Sequence, residues 1–109
     1  MIIAVDFDGT LCREEYPEIG KPDWALIESL IDAQKHGARL ILWTCREGKL
    51  LDEAVEWCRE RGLEFEAIND NLPDEQKKWG NNPRKIAADI YIDDRAVSAE
   101  AYMIRKGRA

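Results

Sequence analysis

Met1-Ile2-Ile3-Ala4-Val5-Asp6-Phe7-Asp8-Gly9-Thr10 opens the chain, and the rest of the sequence takes its meaning from this stretch. The first half is a nearly continuous apolar run, which suits a strand buried on both faces. The second half delivers two carboxylates to that strand's C-terminal end. Residues i and i+2 of a strand share a face, so Asp6 and Asp8 stand side by side while Phe7 turns the other way. Gly9 is free to take a backbone conformation that other residues avoid. Like charges held together need a cation or a proton, and Mg²⁺ is hard and prefers carboxylate, carbonyl and water oxygens. An acidic turn after a strand is also common loop chemistry, so the pair gains weight only from its company.

Working outward, apolar patterns of strand and helix type alternate. Asp23 to Lys35 sets Trp24, Ile27, Leu30 and Ile31 at helical spacing, with Pro22 ahead and Gly37 as a stop. Arg39 to Thr44 reads as a second buried strand. Lys49 to Arg61 puts Leu50, Leu51, Ala54, Val55 and Cys58 on one helical face ended by Gly62. Leu63 to Ile68 reads as a third, more exposed strand and Ala88 to Ile92 as a fourth. Val97 to Lys106 reads as a closing helix with Ser98 as N-cap. Between Asn69 and Lys85 the pattern fails, apart from a short helix around Pro73 to Trp79, and a loop of that length is usually functional or mobile. Leu11 to Lys21 reads as a flap. Trp24, Trp43 and Trp57 are expected in the core, and Trp79 is either a lid residue or an anchor.

The β-α-β-α-β order predicts a single α/β domain over residues 1–109, a Rossmann-like three-layer sandwich with a mainly parallel sheet. Ligands of such sheets collect at the carboxyl ends of the strands, where strand order reverses. Asp6 and Asp8, Thr44, and Asp93 with Asp94 then converge on one rim.

Composition bounds the partners. The 109 residues carry 16 basic and 22 acidic side chains, a net charge of -6, which disfavours nucleic acid as a general partner. Local basic patches remain at Arg84-Lys85 and Arg105-Lys106-Gly107-Arg108, so phosphorylated oligonucleotide ends stay open as ligands. No apolar run reaches the length of a membrane span and the chain starts on a core strand, from which a cytoplasmic protein is expected. Cys12, Cys45 and Cys58 are odd in number and widely spaced, so free thiols are expected.

Phosphoryl transfer fits the rim residues. An ionised Asp6 could attack phosphorus without a base to activate it, and Mg²⁺ shared with the phosphate would reduce the repulsion between anions. Asp93 and the Asp8 carbonyl would complete the metal site, with Asp94 ligating through water or orienting Asp93. The Asp8 side chain would protonate the leaving oxygen and then activate water against the aspartyl-phosphate. Thr44 and Cys45 offer a hydroxyl and backbone N–H groups to the phosphoryl oxygens. Lys85 offers a positive charge, with Lys77 and Lys78 as rivals. Gly9, Thr10, Cys45 and Arg46 are the candidates for substrate contact, although for Arg46, Glu47 and Arg95 a surface salt bridge is an equal alternative.

Asp6-Phe7-Asp8-Gly9-Thr10, Ile41-Leu42-Trp43-Thr44, an upstream lysine and Ile90-Tyr91-Ile92-Asp93-Asp94 resemble the four ordered motifs of the haloacid dehalogenase-like (HAD) superfamily. The resemblance spans nearly the whole chain. It implies a Rossmann-like fold and Mg²⁺-dependent phosphohydrolase chemistry, with Asp6 as nucleophile and Asp8 as acid/base. Aspartate at both positions of the first motif resembles the phosphatase branch. The short intervals between motifs resemble the small, capless members with an Ile-Asp-Asp-Arg ending. The expected substrate is a small phosphomonoester, reached across a rim that is open or closed by a second subunit. Two other classes compete: a receiver-like signalling module phosphorylated at Asp70, and a binding protein that keeps the metal site without turnover.

Overall fold

The computed structural model describes residues 1–107; Arg108 of the basic tail lies outside the described residues. Four strands, β1 (Ile2–Val5), β4 (Arg39–Leu42), β5 (Phe65–Ile68) and β6 (Ile90–Ile92), form one sheet in the order β5-β4-β1-β6, and every pairing is parallel. The helices are α1 (Trp24–Lys35), α2 (Gly48–Glu60), α3 (Pro73–Trp79) and α4 (Ala99–Arg105). The chain steps from β1 to β4 and β5 on one side and then returns to the other side of β1 for β6. Strand order therefore reverses at β1, and the crevice of this α/β fold opens beside Asp6.

Alternation along β1 and β4 divides the core between the two sheet faces. Ile3, Val5, Leu40 and Leu42 join Phe7, Ile27 and Leu30 of α1, and Ala54 and Cys58 of α2. Ala4 and Ile41 point the other way and pack with Leu72 and Ile86, from the segment between β5 and β6. Each fully buried Leu or Ile contributes roughly 1.5–3 kcal/mol relative to exposure, so this two-sided burial holds the strand ends still. α4 starts where Ser98 accepts from Ala101 N–H at 3.0 Å, the N-cap expected there, and α1 starts where Asp23 accepts from Leu26 N–H at 3.1 Å, a cap not named from the sequence.

The segment expected as a flap is ordered. β2 (Cys12–Glu15) and β3 (Glu18–Pro22) pair as an antiparallel hairpin. Its charged residues, Arg13, Glu14, Glu15 and Glu18, hide strand periodicity because mainly Cys12, Ile19 and Gly20 turn inward. A Cβ at Gly20 would collide with the Arg13 carbonyl, so the two strands need glycine there.

Two tryptophans also depart from expectation. Trp24 is 50% exposed at the first turn of α1, and Trp43 is 37% exposed on the rim just past β4. Trp57 packs against the core. The segment from Asn69 to Lys85 contains α3 and is anchored by Asn71, a buried side chain that donates to Asn82 Oδ1 and the Pro83 carbonyl and accepts from Ala87 N–H at 2.7 Å. Arg39, at the start of β4, grips Glu66 of β5 and Asp74 of α3 with its guanidinium and holds the Asp74 carboxyl below the usual carboxylate range.

Candidate active site

The first carboxylate is positioned by the sheet itself. Asp6 follows β1, and its N–H donates to the Ile92 carbonyl at 2.9 Å, which binds the ends of β1 and β6 together. Asp93 and Asp94 leave β6 at that point. One carboxylate oxygen from each of Asp6, Asp93 and Asp94 lies within 4.8 Å of the others. Asp93 is oriented by its own turn, accepting from Arg95 N–H at 2.8 Å. Asp94 lies where a Cβ of residue 9 would be, and Gly9 has φ +81°, so only glycine lets the turn and this carboxylate coexist.

Burial, and then the neighbouring Asp93 and Asp94, push the Asp6 carboxyl up to about 6, partly offset by the Phe7 N–H. The cluster is thus a crowded set of hard oxygen donors in a cleft of about 590 Å³. Such a donor set fits a small divalent cation.

Asp8 has a different neighbour from the one its spacing predicts. Its carboxylate lies outside the Asp6 cluster and accepts two hydrogen bonds from Arg46, Nε to Oδ2 at 2.8 Å and Nη2 to Oδ1 at 2.9 Å. Arg46 is not a surface salt-bridge residue. Its side chain is 1% exposed, and it also donates to the Glu18 carbonyl of β3. This buried, bidentate pair is absent from any local sequence pattern, since 38 positions separate the partners.

The phosphate-binding candidates divide. Thr44 lines the cleft, but its N–H donates to Asn69 Oδ1 at 2.8 Å and its hydroxyl accepts from Arg46 N–H. The backbone donor expected at Thr44 is therefore taken, and the hydroxyl proton is what it can offer a ligand. Cys45 lines the cleft as an exposed thiol. Gly9 and Thr10 do not line it. Their N–H groups donate to the Cys12 and Phe7 carbonyls and shape the turn. Lys85 also falls outside. It lines an adjoining pocket with Ile86, Tyr91 and Val97, which meets the cleft at Trp43 and Asp93. Lys77 and Lys78, in the last turn of α3, line neither pocket.

Two residues of the cleft, Glu14 and Tyr16, and one that supports it through Thr44, Asn69, belong to none of the sequence motifs. Glu14 and Tyr16 come from the hairpin, and Tyr16 stacks on Arg46 with its centroid 5.2 Å from the guanidinium carbon. Asn69 has φ +53°, a conformation asparagine tolerates better than most residues, and the Asn-Asp-Asn run was the available signal. Asp70, the receiver-type acceptor candidate, follows β5, an edge strand rather than a middle one, and accepts from Asn71 N–H and Asn82.

A solved structure supplies the comparison: a conserved protein coded by a locus of Bacteroides thetaiotaomicron superposes with a TM-score of 0.78 and 45% identity, over 100% of this chain and 93% of that one. The chain belongs to that protein's family. No family model matches the sequence, and no curated protein does. Identity of this order over the full length carries the parallel sheet and its helices in common. Among the described residues no helix is long and apolar enough to cross a membrane.

Proposed function

We propose that the protein is a Mg²⁺-dependent phosphohydrolase of the capless HAD type, acting on a phosphomonoester. The observation that carries this reading is the meeting of Asp6, Asp93 and Asp94 within 4.8 Å at the sheet's switch point. Asp6, Asp93 and Asp94 would hold the ion, which would supply charge neutralisation to a bound phosphate.

The chain's own residues account for the remaining steps. An oxygen of Asp6 attacks phosphorus and the bond to the leaving oxygen breaks, giving an aspartyl-phosphate. Water then attacks that phosphorus, its proton passes to Asp8, the bond to Asp6 breaks and inorganic phosphate leaves. In the first half-reaction an alkoxide leaving group needs a proton from Asp8, whereas an aryl oxide leaves without one. Arg46 holds the Asp8 carboxylate in one orientation with a face on the cleft, which places it for this transfer. The Thr44 hydroxyl and the cations bordering the cleft, Arg95 within it and Lys85 next to it, favour an anionic group. Glu14 and Tyr16 make the hairpin the specificity element, and the substrate is a small phosphorylated molecule.

Hydrolysis of p-nitrophenyl phosphate with and without Mg²⁺ tests this reading. Turnover should require the ion and vanish in Asp6→Asn while the circular dichroism spectrum is kept. Activity retained in Asp6→Asn rejects the assignment.

A further inference from the structure

Arg46 makes more contacts than a stabilising ion pair needs. Its fork occupies both oxygens of Asp8, its Nη2 also reaches the Glu18 carbonyl at 3.1 Å, and its Nη1 reaches the Leu50 carbonyl in the first turn of α2 at 3.4 Å. The guanidinium carbon lies 5.1 Å from the Phe7 ring centroid and 5.2 Å from that of Tyr16. Phe7 is the residue between the two carboxylates, and Tyr16 belongs to the hairpin. One side chain therefore joins Asp8, the strand end, the hairpin and α2.

A buried charge with this many partners has one rotamer, and it imposes one on the carboxylate it holds. Asp8 is 18% exposed on its side chain and keeps a face to the cleft, while Arg46 is sealed at 1%. Lysine could supply the charge but not the planar two-point grip.

We infer that Arg46 is a positioning residue: it fixes the Asp8 carboxylate as the base that accepts a proton from water when the aspartyl-phosphate is hydrolysed, and it ties that carboxylate to the hairpin over the cleft. This rests on the phosphohydrolase reading and extends it to the second half-reaction. The bond between Asp6 and phosphorus breaks as the new bond to water oxygen forms, the water proton goes to Asp8, and no oxidant or further reactant is involved. A loosened Asp8 slows this step and leaves the first one intact for a leaving group that needs no proton.

Stopped-flow release of p-nitrophenol from p-nitrophenyl phosphate, with intact-mass measurement of the acid-quenched protein, separates the two steps. In Arg46→Met the p-nitrophenol burst should persist, turnover after the burst should fall about 100-fold, and phosphorylated protein should accumulate. Arg46→Lys should fall between the variant and the wild type. Loss of turnover in Arg46→Met without accumulation of phosphoprotein, or turnover equal to wild type, overturns the role of Arg46 and leaves the phosphohydrolase reading standing. If Arg46→Met does not fold, the same two measurements on Arg46→Lys decide. A wild-type chain with neither burst, turnover nor phosphoprotein rejects the phosphohydrolase reading and this inference with it.

Discussion

The indole of Trp57 meets the ring of Phe7 edge-on, with centroids 5.4 Å apart and planes at 87°. Phe7 is fully buried between Asp6 and Asp8 in sequence, so the grip of α2 on this one ring sets how the chain leaves β1. Core packing and the direction of the carboxylates are the same problem here. Phe7→Ala should cost about 3–5 kcal/mol by urea denaturation, the usual range for a buried Phe. Trp57→Leu, which keeps much of the apolar contact, should cost less, with about 0.5–1.5 kcal/mol of the loss coming from the edge-to-face geometry. Equal losses in the two variants would show that the ring pair does not organise the turn.

Crowding of carboxylates gives the metal-free protein a pH signature. The Asp6 carboxyl is raised from 3.8 to about 6, first by burial, so between these values the folded state binds more protons than the unfolded one. Stability from this group is full below the unfolded value and is lost as pH rises through the folded one. Asp6→Asn removes that loss. The metal-free variant should therefore be more stable than wild type above about pH 6, by on the order of 1 kcal/mol after discounting for solvent screening, and the gain should vanish below about pH 4. Thermal melts in chelator across this window measure it, and a gain independent of pH would contradict the assignment.

Mg²⁺ should raise the melting temperature by binding the folded state alone. Because the ion competes with the proton on Asp6, the rise should be larger near pH 7.5 than near pH 5.5. Asp93→Asn should abolish most of it. Identical shifts in Asp93→Asn and wild type would place the bound ion elsewhere.

Removing either member of the Asp8–Arg46 pair strands the other charge. Asp8→Asn and Arg46→Met should each destabilise the fold by about 3–5 kcal/mol, and the double variant should recover part of the loss. Urea titrations of the four proteins give the coupling, and simple additivity would mean that the pair stores no interaction energy. The double variant is also the cleaner background for measuring how much catalysis depends on Asp8.

Asn69 serves Thr44 twice, through its conformation and through its amide. Asn69→Gly keeps φ +53° accessible but removes the acceptor of Thr44 N–H at 2.8 Å, whereas Asn69→Ala loses both. Asn69→Ala should therefore be the less stable variant by about 1 kcal/mol, the ordinary cost of a left-handed backbone for alanine. Both should weaken turnover by a similar factor. Equal stability would mean that the backbone has relaxed out of this conformation.

Much of the frame was legible because its signals are local. The apolar runs over Ile2–Val5 and Arg39–Leu42, the Gly37 and Gly62 stops and the Ser98 cap each act within a few residues. The hairpin was not, because a two-stranded flap with one inward face needs few apolar residues and its charged positions resemble a loop. Trp24 and Trp43 were misplaced because an aromatic at helical or strand spacing carries no mark of which side is solvent.

By itself the sequence determined that Asp6, Asp93 and Asp94 sit at the carboxyl ends of two parallel strands, since strand period and α/β topology leave those ends on one rim. Only the tertiary structure decided that Asp8 leaves this cluster for Arg46, that Asn69 occupies the Thr44 N–H, and that Lys85 faces a neighbouring pocket. The reason is physical. Strand ends are located by hydrogen-bond registers that repeat along the chain, whereas the partner of a buried charge is whichever opposite charge the packing brings within 3 Å.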